Sequence, residues 1–97
     1  MRHAMTTWKI PELTQTHTDA MRAWRDHCAE THPQIKAIRC YMYNGGTEYV
    51  WLEEFEDYHA FQELVNSIDD ACEVVMKAVM KHAVPGTMQT GVWLDAL

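Results

Sequence analysis

Two strand-forming segments around an Asn-Gly-Gly turn constrain the fold of this chain more than any other feature. Residues 35–43 and 47–55 are rich in β-branched and aromatic side chains, which favour strands. Between them, Asn44, Gly45 and Gly46 tolerate the positive φ angles that a tight hairpin turn requires. The sequence therefore predicts an antiparallel hairpin in the middle of the chain.

Helical patterns lie on both sides of this hairpin. Residues 13–31 carry an apolar stripe at intervals of three and four, formed by Leu13, His17, Ala20, Met21, Trp24, Cys28 and Thr31. Pro33 ends this helix, because proline cannot continue a helix and restricts the residue before it. Asp57 can cap a second helix, and Asp69 can cap a fresh segment that runs to residue 82, before a Pro-Gly stop.

Two further strands are predicted near the ends of the chain. Residues 3–10 mix β-branched and aromatic residues and stop at Pro11, and residues 88–94 alternate as a final strand. The order is therefore β-α-β-β-α-β, the split-βαβ or ferredoxin-like arrangement. The 97 residues suit one domain, 1–97, of class α+β, with a four-stranded antiparallel sheet and helices on one face.

Bulky apolar residues occur on both faces of the predicted strands. A sheet with helices on one side is expected to be polar at alternate positions on the other side. Here Val50 and Leu52 oppose Tyr49, Trp51 and Phe55; Ile38, Cys40 and Met42 oppose Tyr41 and Tyr43; Val92 and Leu94 oppose Trp93. An apolar second face implies a partner surface, most simply a second copy. We therefore predict a homodimer whose sheets face each other.

The charge distribution excludes several classes of function. Eight basic residues stand against 14 acidic ones, and residues 40–76 carry nine carboxylates and no Lys or Arg. An acidic half repels phosphate backbones, so we expect no nucleic-acid partner. No stretch approaches the ~20 apolar residues that span a bilayer, and no signal peptide is visible. We therefore expect a cytoplasmic protein without membrane contact.

The cysteines and histidines do not follow metal-ligand spacings. Cys28, Cys40 and Cys72 form no C-x-x-C pair, so we interpret them as small buried thiols in a reducing compartment. The six histidines form no H-x-H or H-E-x-x-H motif, and His27 and His32 stand five apart across a predicted helix end. We therefore predict no metal and no cofactor.

His17 and Arg39 are the candidate catalytic residues. His17 lies on the apolar stripe of the first helix, either as a hydrogen-bonded core residue or as a general base that faces a pocket. Arg39 lies in the middle of a strand and is predicted to point inward, with Glu53 or Glu48 as its expected partner. This pair is either a structural ion pair at the dimer seam or a group that binds an anionic or enolate ligand.

The segment Val-Trp-Leu-Glu-Glu-Phe-Glu-Asp-Tyr-His-Ala-Phe-Gln-Glu-Leu, residues 50–64, resembles a pattern of the dimeric α/β-barrel superfamily of ferredoxin-like proteins. In that superfamily the third strand runs into an acidic helix start, E-x-aromatic-x-[DS]-x-x-A-[FL]. Residues 24–39, with their His-Pro loop, and the Pro-Gly pair before the last strand are also similar to it. The superfamily includes antibiotic-biosynthesis-type monooxygenases, stress-responsive barrel proteins and proteins similar to the NIPSNAP family.

The resemblance implies a dimeric barrel with a pocket between sheet and helices. Cofactor-independent monooxygenases of the superfamily typically line this pocket with an Asn, a Trp and an Arg. Phe55 stands where the strand-end Trp usually falls, and the first strand of this chain has no Asn. Both are departures from the monooxygenase pattern.

Three functions follow from these patterns. The first is a small homodimer that binds a small apolar or aromatic molecule, with Trp51, Tyr41, Trp93, Glu53 and Phe55 as the ligand-binding residues. The alternative is a cofactor-independent monooxygenase or isomerase that acts on a phenolic or polyketide-like substrate, with Arg39 and a nearby His such as His17 as catalytic helpers. The third is a structural or interaction protein whose barrel is filled with side chains.

Overall fold

The computed structural model describes residues 2–43 and 45–97. Its elements are β1 (Arg2–Lys9), α1 (Gln15–Thr31), β2 (Ile35–Met42), β3 (Glu48–Phe55), α2 (Tyr58–Ser67), α3 (Asp70–Met80) and β4 (Gln89–Leu94). The predicted hairpin is therefore present, and Gly45 and Gly46 have φ angles of 100° and 76°. The predicted role of Asn44 in the turn lies outside the described residues.

The four strands form one antiparallel sheet in the order β2-β3-β1-β4. With the helices on one face, this is the α+β, ferredoxin-like arrangement that the sequence predicts. Within the described ranges, no helix is long and apolar enough to cross a membrane.

Short polar side chains set where the helices begin. Thr14 Oγ1 accepts a hydrogen bond from the His17 amide at 3.2 Å, and Asp57 Oδ1 accepts one from the Ala60 amide at 2.9 Å. The second predicted helical region is divided in two, because Asp69 caps α3 by accepting from the Cys72 amide at 2.9 Å. Each cap satisfies an amide that the first turn of a helix leaves without a partner.

The core lies between the helices and the inner face of the sheet. Trp8, Trp51 and Phe55 point towards the helices and are almost completely buried. The opposite, open face carries Met5, Val50 and Leu52 at its centre and exposed aromatic residues towards its edges. Strand alternation therefore places large apolar residues on both faces, as the sequence predicts.

Candidate functional site

A cavity of about 200 Å³ lies between the inner face of the sheet and the three helices. Most of its wall is apolar, with contributions from Trp24, Cys28, Phe61, Leu64, Cys72 and Met76. Four polar residues also line it: Glu53, His32, Thr6 and Thr90. Small-molecule sites in proteins combine an apolar wall with a few placed polar groups in this way.

Glu53 supplies the carboxyl group of the cavity. Its Oε1 accepts a hydrogen bond from Trp51 Nε1 at 2.9 Å. Burial raises the pKa of Glu53, because the carboxylate has lost water, while the hydrogen bond from Trp51 partly opposes this rise. A carboxyl group in such surroundings can donate a hydrogen bond when protonated and can accept a proton when ionised.

Stacked aromatic rings hold this carboxyl group in place. Trp51, which is 1% exposed, stacks on Trp24 with ring centroids 4.1 Å apart and an interplanar angle of 9°. Phe55 is completely buried and meets Phe61 edge to face at 5.5 Å. Trp51 and Phe55 therefore support the cavity from the sheet, while Glu53 reaches into it.

The other predicted ligand-binding residues, Tyr41 and Trp93, lie on the open face of the sheet, with exposures of 55% and 56%. Strand alternation puts them on the side opposite Trp51 and Glu53. The structure thus divides the predicted set between two faces, and one cavity within a single chain cannot include all five residues.

Arg39 also lies on the open face, with a side chain that is 55% exposed. It does not point inward, and its partner is Glu54, at 3.6 Å between Nε and Oε1, rather than Glu53 or Glu48. The reason is the strand register. Arg39 pairs with Leu52, so its side chain points to the same open face of the sheet as the side chain of Leu52.

His17 is completely buried beside Trp8, Tyr49 and His82. Its Nε2 accepts a hydrogen bond from Trp8 Nε1 at 3.0 Å, and an indole N–H only donates, so His17 is neutral with its proton on Nδ1. Burial lowers the pKa of His17, and His82 lowers it further. His17 is not among the residues that line the cavity.

Three possible metal ligands meet at one wall of the cavity. The ligand atoms of His27, His32 and Cys72 all lie within 4.8 Å of one another. Spacing rules miss this set because Cys72 is remote from the two histidines in sequence and reaches them only through the packing of α3 against α1. The high density of histidines is the one sequence signal that could have pointed to it.

A second, more open groove of about 320 Å³ lies between α1 and β2. Its floor includes Met21, Ile38 and Trp51, and Arg22 and Arg25 stand on α1 at its rim. Because both arginines are exposed, this groove is more polar at its rim and more open to solvent than the cavity that holds Glu53.

Together, the fold and the cavity define a small ferredoxin-like protein with a carboxyl group in a mostly apolar cavity between sheet and helices. No protein-family model and no curated protein sequence matches the chain. Solved structures do match it over almost its whole length. One is SnoaB, a cofactor-independent oxygenase from Streptomyces nogalater, with a TM-score of 0.79, 10% identity, and coverage of 99% of this chain and 93% of that one.

Two further solved structures are similar to the chain over almost its whole length. A dimeric ferredoxin-like protein of unknown function from a Jannaschia species has a TM-score of 0.69 and 13% identity, covering 98% of this chain and 100% of that one. An uncharacterised NIPSNAP domain protein from Burkholderia xenovorans has a TM-score of 0.62 and 16% identity, covering 99% and 95%. These similarities confirm the ferredoxin-like fold.

Proposed function

We propose that this protein binds a small apolar or aromatic molecule in the cavity between sheet and helices. The observation that carries this proposal is the Glu53 carboxyl group held in a mostly apolar cavity. A ligand with one hydroxyl or carbonyl group would pair with Glu53, and its apolar part would lie against Trp24, Phe61 and Met76.

The volume of the cavity restricts the size of this ligand. An apolar cavity of about 150 Å³ is known to accommodate benzene. The cavity here measures about 200 Å³, so it suits one aromatic ring with small substituents. The second ring of a bicyclic phenol such as 1-naphthol would extend through the side that α2 borders, where Val65 is half-exposed.

Catalysis without a cofactor is the second candidate function, and the raised pKa of Glu53 favours it. A carboxylate with a raised pKa is a stronger base, and the apolar wall brings it close to an acidic C–H or phenolic O–H. Glu53 would take this proton, and the substrate anion would either react with O₂ or be reprotonated at another carbon. The oxygenase activity named for SnoaB is consistent with the first course.

In this proposal Glu53 carries the proton transfer, because Arg39 and His17 do not line the cavity. Arg39 faces the opposite side of the sheet, and the Nε2 of His17 is already engaged by Trp8. Trp51 and Phe55 act as supports for Glu53 and for the cavity wall.

Calorimetric titration with 1-naphthol tests the binding function, with added chelator to exclude metal effects. We expect saturable binding that Val65→Trp weakens at least ~10-fold, because Val65 lines the cavity and is exposed enough to accept a larger side chain. Val74→Trp is the matched control, on an exposed position of α3 that does not line the cavity. Equal binding by both variants would place the ligand elsewhere, and no binding by any aromatic probe would favour the filled barrel.

Oxygen uptake with a hydroquinone tests the catalytic function. If Glu53 is the base, Glu53→Gln abolishes uptake while calorimetry still detects binding, because Gln retains the shape and the hydrogen-bonding capacity of the side chain. Uptake that survives Glu53→Gln would exclude Glu53 as the base. Binding without turnover would leave the protein as a binding module.

We further propose that the chain forms a homodimer through the open face of its sheet and works in the cytoplasm. Met5, Val50 and Leu52 give this face an apolar centre, and the described cysteines are all free. Sedimentation equilibrium should show a dimer that Leu52→Glu converts to a monomer, while Val74→Glu, on exposed α3, leaves it intact. A wild-type monomer at every concentration would contradict this assembly.

A further inference from the structure

The wall of the cavity near the end of α1 holds a buried set of nitrogen and sulfur atoms. His27 lies in the last turns of α1, His32 follows directly after that helix, and Cys72 lies in the first turn of α3. The rings of His27 and His32 meet edge to face, with centroids 5.7 Å apart. Three side chains from two elements therefore converge on one point.

Most of the polar atoms of this set are buried without a polar partner, although Cys72 Sγ contacts Met76 Sδ at 3.8 Å. His32 is 4% exposed and Cys72 is 3% exposed. Neither nitrogen of His32 has a hydrogen-bond partner among the described residues, and the same is true of His27 Nε2. Each buried polar atom left in this state costs about 1–3 kcal/mol. A metal ion would bind one nitrogen of each ring and so give a partner to two of these three atoms.

We propose that His27, His32 and Cys72 bind a divalent transition-metal ion of the Zn²⁺ class. Two imidazoles and one thiolate are a borderline-soft donor set, which suits Zn²⁺ and Co²⁺ and disfavours Mg²⁺ and Ca²⁺. Around a tetrahedral ion with bonds of about 2.0–2.3 Å, the ligand atoms lie roughly 3.5 Å apart. The ligand atoms lie within 4.8 Å of one another, so side-chain rotations that move each atom by about 1 Å would bring them to these distances.

The place of this site in the molecule leaves one coordination position for an outside ligand. His32 and Cys72 line the same cavity as Glu53, whereas His27 stands behind them. Three protein ligands with a fourth position open to a cavity are the arrangement of catalytic rather than structural zinc sites. Water or a hydroxyl group of a small molecule would fill the fourth position.

Nearby carboxylates favour a cation at this point. Asp69 caps α3 at the amide of Cys72. Its negative charge acts to raise the pKa of both His32 and Cys72. The charge of Glu53 also acts to raise the pKa of Cys72. Negative charges around the ligands stabilise a bound cation and orient the groups that hold it.

Titration of the reduced, chelator-treated protein with Co²⁺ tests the site, without any organic ligand. We expect one Co²⁺ per chain, an intense visible spectrum typical of tetrahedral cobalt, a near-ultraviolet thiolate-to-cobalt band, and displacement of the cobalt by Zn²⁺. Binding without the thiolate band, or no binding, would overturn the proposal. Because this experiment uses the wild-type chain, it does not depend on whether a variant folds.

Variants identify the ligands. Cys72→Ser should abolish the thiolate band, and His27→Ala, at a half-buried position, should weaken Co²⁺ binding by more than the ~10–100-fold that outer-shell changes cost. Cys28→Ser is the matched control, since Cys28 is a buried cysteine that lines the same cavity outside the ligand set. Loss of the band in Cys28→Ser, or its persistence in Cys72→Ser, would overturn the assignment.

The metal site goes beyond the proposed binding function, and the two can fail separately. Calorimetry with 1-naphthol in chelator reports on the apolar cavity alone, and the cobalt spectrum reports on the three ligands alone. Metal binding without naphthol binding would leave the site standing and reject the proposed function.

Discussion

The hydrogen bond between Trp51 and Glu53 joins the stacked core to the only described carboxyl group that lines the cavity. Trp51→Phe keeps an aromatic ring against Trp24 but removes the Nε1–H donor. The lost hydrogen bond to an ionised carboxylate costs about 1.5–3 kcal/mol. The smaller ring costs about 1 kcal/mol more in lost packing. We therefore expect the free energy of unfolding to fall by about 2.5–4 kcal/mol near pH 7.5.

This cost should depend on pH in a defined direction. Burial raises the pKa of folded Glu53 above its unfolded value, so ionisation of Glu53 lowers stability as the pH rises through that range. The hydrogen bond from Trp51 opposes the rise, and Trp51→Phe therefore raises the pKa of Glu53 further. Below about pH 4 Glu53 is mostly protonated in both states, and the cost of Trp51→Phe should shrink to the packing part plus a neutral hydrogen bond of about 0.5–1.5 kcal/mol.

A double-mutant cycle with Glu53→Gln measures the charged part of this interaction. Urea unfolding followed by far-ultraviolet circular dichroism, at one protein concentration, gives the free energy of each variant. We expect a coupling energy of about 1 kcal/mol or more near pH 7.5 and close to zero near pH 4. If Trp51→Phe costs the same in the wild-type and Glu53→Gln backgrounds at both pH values, the reasoning about Glu53 is refuted.

Two further predictions follow from buried titratable groups. Because burial lowers the pKa of His17, the unfolded chain takes up its proton first, and the free energy of unfolding should fall as the pH drops below about 6.5. His17→Gln, which retains an acceptor for Trp8 Nε1, should make this fall shallower in urea titrations, and an unchanged slope would exclude His17 as its source. Burial raises the pKa of Cys28 to about 12, and the pKa values of Cys40 and Cys72 are raised as well, so accessibility decides the order of reaction. A thiol reagent at mild alkaline pH should label exposed Cys40 first and buried Cys28 and Cys72 only slowly. Labelling of all three at one rate would contradict the burial of Cys28 and Cys72.

Elements governed by local rules were predictable from the sequence. Gly45 and Gly46 supply the positive φ angles of the hairpin, and the strands on both sides begin and end within one residue of the predicted bounds. Asp69 divides the second helical region because its side chain satisfies an amide at the start of α3. In both cases the decisive interaction spans only a few residues, so the sequence contains it directly.

Which face of a strand becomes covered was only partly predictable. Alternation groups Trp51 with Phe55 and separates both from Val50, as the structure shows, but it does not say which group meets the helices. That choice depends on how helices and sheet pack together. Arg39 was therefore expected to point inward towards Glu53, whereas the packed chain places it outside, against Glu54.

The cluster of His27, His32 and Cys72 shows how far local rules reach. Pro33 excludes a helical conformation at His32, which ends α1 with φ and ψ of −123° and 80°. The cap at Asp69 begins α3 and places Cys72 in its first turn. The position of His32 at the end of α1 and the position of Cys72 at the start of α3 are therefore each determined by residues that are adjacent in sequence.

The distance between the two positions does not follow from either rule. It arises because the apolar stripes of α1 and α3 pack against each other above the sheet, an interaction between segments about 40 residues apart. A metal site assembled in this way has no motif, since no spacing along the chain records which helix ends meet. Whether histidines and cysteines at helix termini form a metal site therefore depends on how those helices pack, which sequence patterns do not show.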